Sequence, residues 1–108
     1  MNRLASPEQF RITYRQGRRT SNDLVILHAR SNGLAESRLG VAVPGRAGGA
    51  VVRNRIKRRM REAFQAVRPI PTGLDVVVVP KDAATNAPFP ELVGALQAIL
   101  DSMTLRQQ

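Results

Sequence analysis

The sequence predicts an α+β fold, a small α–β sandwich in which helices pack against one sheet in the order α-β-β-α-β-α. Runs rich in aliphatic residues at 24–29, 38–43 and 74–79 are typical of strands. Between and around them, apolar residues recur every three or four positions, which is typical of helices packed on a core. The length of 108 residues suits one domain, so we expect a single domain over residues 1–108.

The first helix is predicted from 7 to 16. Ser6 can cap it, Gln9 completes a capping box and Gly17 ends it. Phe10 and Tyr14 are four residues apart and therefore share a face of this helix. They either pack in the core or show part of an aromatic face to a cleft, where bases of a single strand could stack.

Three strand-like segments and a last helix complete the predicted order. The runs 22–30 and 38–44 flank the turn signal Asn32-Gly33, so we expect them to pair as an antiparallel hairpin. The run 74–79 is apolar on both faces, which predicts a central, buried strand. A final amphipathic helix is expected from 90 to about 103.

A strongly basic helix is expected between the second and third strands, from about 50 to 67. Six of the nine residues from Arg53 to Arg61 are Lys or Arg. The helix ends before Pro69 and Pro71. Its apolar residues fall within a stripe roughly 120° wide, which predicts one core-facing side; they are Val52, Ile56, Met60, Ala63, Phe64 and Val67.

The charge of the chain indicates a polyanionic partner. The net charge is +9 and the sequence pI is about 11.7. Six like charges within nine residues repel one another unless a partner neutralises them, which favours RNA or DNA. An anionic membrane surface is disfavoured because the apolar stripe is needed for the core. Asn54 lies on the exposed side, where its amide can bond a phosphate, a 2′-OH or a base edge.

Few residues are suited to protein-based catalysis. The chain has no cysteine, and His28 is its only histidine. The eight acidic residues are scattered without the spacing of a helical metal or acid–base site. His28 is either an ordinary strand residue with a satisfied ring or part of a surface that contacts nucleotides. The glycine-rich loop 45–49 is either a hinge or a phosphate cradle at a helix N-terminus.

At residues 53–64 the chain resembles the protein subunit of bacterial ribonuclease P. The basic helix carries the signature Arg-Asn-Arg-x-x-[Lys/Arg]-Arg followed by Arg-x-x-Phe. The resemblance extends to the early aromatic helix, to the strand at 37–43 and to the strand at 73–79, and it covers about residues 3–103. The family usually has lysines where this chain has Pro44 and Gly45, and an aromatic residue where it has His28.

The resemblance implies the fold and the division of labour. It implies a left-handed crossover through the basic helix and a single RNA-binding domain. It also implies that a large RNA, with bound magnesium, cuts the 5′ leader from precursor tRNA, so no catalytic residue and no metal ligand are expected in the protein. The residues implied to contact the catalytic RNA are Arg46, Arg53, Asn54, Arg55, Lys57, Arg58, Arg59 and Arg61. Those implied to line the leader cleft are Phe10, Tyr14 and His28.

The expected partners are the catalytic RNA of ribonuclease P and precursor tRNA, with no membrane and no obligate protein partner. A cytoplasmic location is expected, since no apolar run is long enough to span a bilayer. Two alternatives stay open. The chain could be a basic ribosomal protein or another protein that binds structured RNA without a role in cleavage. It could also be a nuclease acting alone through a carboxylate such as Asp75 or Asp82.

Overall fold

The computed structural model describes residues 2–69 and 71–107, with side chains described for 2–69 and 71–103. Five strands form one mixed sheet in the order β1-β4-β5-β3-β2. The elements are β1 (Asn2–Arg3), α1 (Pro7–Gln16), β2 (Arg18–Ser21), β3 (Val25–Ser31), β4 (Arg38–Val41), α2 (Ala50–Gln65), β5 (Leu74–Pro80) and α3 (Phe89–Gln107). The predicted fold class is confirmed, and the two short strands β1 and β2 add to the six predicted elements.

Strand β5 occupies the centre of the sheet. It pairs in parallel with β4 and antiparallel with β3. The predicted hairpin between 22–30 and 38–44 is therefore wrong, because β5 lies between those two strands. The Asn32-Gly33 turn instead begins a connection across the end of β5, where Asn32 N–H donates to the Gly73 carbonyl at 2.9 Å. A strand that is apolar on both faces is most stable when it is paired on both edges and covered on both faces.

The hairpin of this fold joins β2 to β3. The side-chain Oδ1 of Asn22 accepts from the backbone N–H groups of Leu24 and Val25 at 3.0 and 3.1 Å, which shapes the turn. Strand β2 has the sequence Arg-Arg-Thr-Ser and lies at an edge of the sheet. Without apolar residues it gave no strand signal, and its charges are typical of an edge that avoids pairing with other chains.

Helices cover both faces of the sheet. On one face, α2 and α3 pack against the inward residues of β3, β4 and β5 and form the main core. On the other face lies α1, which contacts β3 and β5. Helix α2 joins the parallel neighbours β4 and β5, so the predicted strand–helix–strand crossover is present. Its hand stays a prediction from the resemblance.

The N-terminus of α1 has the predicted capping box. Gln9 N–H donates to the Ser6 hydroxyl oxygen at 3.2 Å, and Ser6 N–H donates to Gln9 Oε1 at 3.4 Å. At the other end, Gly17 N–H donates to the Thr13 carbonyl at 2.9 Å. These contacts satisfy end groups of a ten-residue helix that is too short to be stable alone.

A buried ion cluster fixes one end of the sheet. The Asp75 carboxylate is fully buried and accepts two hydrogen bonds from Arg38, at 2.8 and 2.7 Å. Asn32 Nδ2 donates to it at 3.0 Å, and Arg30 approaches to 3.4 Å. Burial by itself raises the pKa of Asp75, but the hydrogen bonds from Arg38 and Asn32 and the charges of Arg38 and Arg30 outweigh it and lower that pKa.

We expect Asp75→Asn to lower the free energy of unfolding by about 3 kcal/mol at pH 7, measured by urea denaturation. This is the lower end for a broken buried ion pair, because Arg38 and Arg30 keep some contact with solvent. The folded pKa lies below the ordinary 3.8, so the carboxylate stabilises the fold above about pH 4. That stability is lost as pH falls through the folded pKa, so the difference between wild type and variant should shrink there.

The matched control is Glu8→Gln, which breaks only the exposed ion pair between Glu8 and Arg11. Its effect should stay within about 0.5 kcal/mol at every pH. An Asp75→Asn effect as small as that of Glu8→Gln at pH 7 would show that the cluster does not stabilise the fold.

Candidate nucleic-acid interface

Helix α2 buries one side and exposes a basic side, as its periodicity predicts. Ile56, Met60, Ala63 and Phe64 are buried against the core. Val52, which was also assigned to the apolar stripe, is 42% exposed, so that part of the prediction is wrong. It lies in the first turn of α2 next to Gly48, on the loop side of the helix.

The cations of α2 form no ion pair with a carboxylate of the described residues. Within residues 2–69 and 71–103, no carboxylate lies within 4.0 Å of a cationic group on this helix. Asn54, Arg55 and Arg58 are exposed. Four further cations are half-buried: Arg53, Lys57, Arg59 and Arg61. A rigid row of guanidinium groups on a packed scaffold suits bidentate contact with phosphates.

Arg59 differs from its neighbours because its guanidinium bonds to the protein. It donates to the Thr85 carbonyl at 2.8 Å and to the Ala87 carbonyl. These bonds tie the connection between β5 and α3 to α2. The sequence did not distinguish Arg59 from the other arginines, because its partners are backbone groups 26 and 28 residues away.

The loop before α2 places a further cation, Arg46, near the N-terminus of that helix. Arg46 lies in a short 3-10 turn, Gly45–Ala47, and its side chain is 72% exposed. Its Nε is 4.0 Å from a carboxylate oxygen of Asp82, which is itself 86% exposed. An ion pair of this geometry contributes little stability, so Arg46 stays available to another anion.

An aromatic groove, formed by Phe10, Tyr14 and His28 with Ile26 and Val79, lies on the opposite face of the sheet. Phe10 sits over Gly40, where a β-carbon would come within 2.5 Å of its Cζ. The rings of Tyr14 and His28 meet edge to face, with centroids 4.8 Å apart. Because His28 and Gly40 both pair with Val77, the two aromatic contacts lie two strands apart, about 10 Å.

The groove is partly open to solvent. Tyr14 is 40% exposed, while Phe10, His28, Ile26 and Val79 are half-buried. The aromatic pair is therefore not enclosed in the core, and its role in a cleft stays a prediction. Because Gly40 has no side chain, the Phe10 ring can lie directly over the backbone at this position.

His28 is held neutral in this groove. Burial and then the charge of Arg19, its cross-strand neighbour, lower the pKa of His28 below its usual 6.5. Its Nδ1 atom is buried and has no hydrogen-bond partner among the described residues. The ring is therefore not the fully satisfied strand residue of the simpler interpretation, and at neutral pH it offers an uncharged surface beside Tyr14. Burial also raises the pKa of Tyr14, so its hydroxyl stays protonated.

The structure thus separates the predicted site residues into two surfaces, one on each face of the sheet. Sequence reasoning missed two cations that the fold adds to them. Arg19 of β2 lies beside His28, and Arg3 of β1 lies close enough to Arg61 to lower its pKa. Both come from strands of two or four residues, which are too short for a periodic signal.

The placement of the acidic residues and the character of the helices bear on the rival functions. In the described ranges, no three His, Asp or Glu side chains come together in a way that could hold a metal ion. Asp75, a candidate for a protein-based nuclease, has both oxygens engaged by Arg38. Over the same residues, no helix is both long and apolar enough to cross a membrane.

The fold and these surfaces define a small basic α+β domain suited to binding a polyanion. The model of the family described as Ribonuclease P matches residues 1–104. The chain therefore belongs to the ribonuclease P protein family, the protein component of an endoribonuclease of tRNA 5′ processing in which catalysis resides in the RNA. The resemblance found in the basic helix is confirmed.

Similar proteins agree along nearly the whole chain. The ribonuclease P protein component of Roseiflexus castenholzii is 41% identical over 100 residues, covering 91% of this chain and 82% of that protein. That of Symbiobacterium thermophilum is 36% identical and covers 98% and 94%. The ribonuclease P protein from Thermotoga maritima superposes with a TM-score of 0.82 at 30% identity, covering 93% and 96%. The Staphylococcus aureus protein gives 0.82 at 25% identity, covering 95% of each chain.

We expect Arg55→Ala and Arg59→Ala to have different effects. Arg55 is exposed, so its loss should change the free energy of unfolding by less than about 0.5 kcal/mol. It should reduce the slope of log K against log salt for RNA binding by about one unit. Arg59→Ala should cost about 2 kcal/mol of stability, because two carbonyls lose a charged donor.

Urea unfolding and filter-binding titrations over a range of salt concentrations measure both quantities. A large loss of stability in Arg55→Ala with unchanged RNA affinity would assign that arginine to the fold instead of to the RNA interface.

Proposed function

We propose that this chain binds the catalytic RNA of ribonuclease P with α2 and the loop before it, and holds the 5′ leader of precursor tRNA in the aromatic groove. The observation that carries the proposal is the placement of these two surfaces on opposite faces of one sheet. A rigid sheet between them fixes the position of a bound leader relative to a bound RNA, and such positioning assists a reaction without supplying reacting groups.

The α2 surface has the features expected for contact with a structured RNA. Its cations have no carboxylate within 4.0 Å in the part of the chain whose side chains are described, and packing on the core holds the helix in place. We assign RNA contacts to the cations and to the amide of Asn54, which can bond a 2′-OH or a base edge. The proposed contacts are Arg46, Arg53, Asn54, Arg55, Lys57, Arg58, Arg59 and Arg61. Arg59 can contribute only the donors that its two carbonyl partners leave free.

The aromatic groove has the features expected for a single strand. Phe10 lies over Gly40 on β4, and the Tyr14–His28 pair lies over β3, about 10 Å away across the sheet, a separation that spans more than one stacked base. Stacking on ring faces tolerates any base, as a leader of varied sequence requires. A neutral His28 adds ring surface, and the cation of Arg19 lies beside it for a phosphate.

Magnesium in this assembly is assigned to the RNA. The described acidic residues do not form a site that fits the ion, and the buried carboxylate of Asp75 is already bound by Arg38 and Asn32. The protein's own contribution is electrostatic, because cations beside the RNA reduce the repulsion between RNA and precursor tRNA. By the same proposal the protein acts in the cytoplasm and needs no further protein partner.

The direct test is cleavage of a precursor tRNA by a bacterial ribonuclease P RNA at low magnesium, with and without the protein. We expect the protein to raise kcat/KM and to lower the magnesium concentration that cleavage requires. If the protein leaves cleavage by the RNA unchanged and binds ribosomal RNA as tightly as ribonuclease P RNA, the proposal is contradicted. A ribosomal protein is then favoured. Cleavage by the protein without RNA would favour a nuclease.

For the groove, we expect Tyr14→Ala to weaken binding of precursor tRNA to the holoenzyme by about tenfold, within the 1–3 kcal/mol attributed to a stacked base. Binding of mature tRNA, which lacks a leader, should scarcely change. Assembly with the catalytic RNA should also be unchanged, because α2 lies on the other face of the sheet. Tyr14 is 40% exposed, so the variant should fold, as circular dichroism can verify.

Arg15→Ala is the matched control, since Arg15 is an exposed residue of the same helix. It should affect both forms of tRNA equally, through charge alone. Equal weakening for both tRNA forms in Tyr14→Ala would remove Tyr14 from the leader groove.

A further inference from the structure

A cavity of about 280 Å³ lies between α2 and the β1–β4 edge of the sheet. We call it the edge pocket. The apolar side chains of Leu39 and Phe64 form part of its wall, and neither is more than 6% exposed. Arg3 from β1 and Glu62 and Gln65 from α2 contribute polar groups. The edge pocket is separate from the aromatic groove, which lies on the α1 side of the sheet.

The edge pocket carries net positive charge, because three arginines line it with a single carboxylate, Glu62; the arginines are Arg3, Arg58 and Arg61. Arg3 and Arg61 both line it, and neither has a carboxylate within 4.0 Å in the part of the chain that the structure describes. Burial and then the charge of Arg3 lower the pKa of Arg61, although a guanidinium stays protonated at neutral pH. Arg61 Nε is buried and has no hydrogen-bond partner among the described residues. Two close cations and an unused donor favour an anionic guest.

The size and remaining chemistry limit what that guest can be. About 280 Å³ is at the lower end of small-ligand pockets, so one small group fits and a duplex does not. The apolar wall suits a flat ring. The Glu62 carboxylate can accept from an amino group, and the Gln65 amide can both donate and accept. A phosphate, a flat ring and polar ring edges occur together in a nucleotide.

We propose that the edge pocket receives one unpaired nucleotide of the ribonuclease P RNA, with its base against Leu39 and Phe64 and its phosphate on Arg3 and Arg61. The inference rests on the proposed function, because it takes α2 as the surface that meets this RNA. Proteins recognise RNA sequence chiefly at unpaired nucleotides, whose bases can leave the stack. The leader is a less suitable source, since its groove lies across the sheet.

The test fills the pocket and reads individual bases of the RNA. Gln65 is exposed at the edge pocket, so Gln65→Trp should block the space without disturbing the core. Nucleotide-resolution probing of base reactivity should show an unpaired base that wild-type protein protects and Gln65→Trp does not. Other protections along the basic helix should persist. The Kd for the RNA should rise about tenfold, because the contacts of one nucleotide with the cavity are lost.

Two further variants keep the result interpretable. Ala66→Trp adds the same ring at the neighbouring exposed residue, which does not line the cavity, and should keep the wild-type protections. Arg3→Ala leaves the space open and removes one cation, so it should partly expose the same base. The same reactivity for wild type and Gln65→Trp, or the same loss for Gln65→Trp and Ala66→Trp, would overturn the proposal.

A second arm distinguishes RNA from free nucleotides. The four nucleoside 5′-monophosphates and inorganic phosphate are titrated onto the protein while the backbone amide NMR signals of Arg61 and Gln65 are followed. Weak, saturable shifts with the nucleotides alone, absent in Gln65→Trp, support the proposal. Tight binding of a free nucleotide with unchanged RNA protection would overturn it and assign the pocket to a small ligand. Equal shifts with phosphate would overturn the base contact.

The two proposals fail in different ways. If wild-type protein neither binds the RNA nor improves cleavage at low magnesium, the proposed function fails. If wild type does both, and Gln65→Trp gives the same protections and Kd, only the edge pocket fails.

Discussion

The structure depends on one constraint, the two-sided burial of strand β5. Val76, Val77 and Val78 are at most 1% exposed, so this strand needs a partner on each edge and a helix on each face. It pairs with β3 and β4, while α1 covers one face and α2 with α3 covers the other. Because helices cover both faces, the basic surface of α2 and the aromatic groove lie on opposite sides of the sheet. A sheet with one solvated face would have no separate place for the aromatic groove.

Asp75 is the one charged residue in this buried strand, and its position explains the end of the sheet. Its carboxylate gathers Arg38 from β4, Arg30 from β3 and Asn32 from the turn. Arg30 and Arg38 come from the two strands that β5 separates. The ion cluster therefore links the same three strands that the valines hold together by packing. It also favours this pairing register of the strands over registers shifted along the chain.

The basic residues of α2 do not all have the same role. Arg55 and Arg58 are free to meet a polyanion, whereas Arg59 binds the connection that precedes α3. Arg61 lines the edge pocket with Arg3, and Arg58 reaches the same cavity. Helix α2 thus carries exposed charge that attracts a polyanion and an arginine that holds the connection before α3 in place. It also forms part of the wall of the edge pocket. The repulsion among its cations is tolerated because packing of Phe64 and Met60 in the core fixes the helix independently of its charges.

The sequence by itself determined the elements whose signals are local. Periodicity located α2 and α3, the capping box located α1, and the valine run located β5 and its central place. The signature in α2 identified the family. Only the tertiary structure decided which strands pair, because the Asn32-Gly33 signal marks a reversal of the chain but not the strand that lies between. It alone joined Tyr14 to His28, Arg59 to Thr85 and Arg3 to Arg61. Those contacts connect residues far apart in the chain, and no local pattern records a distance in space.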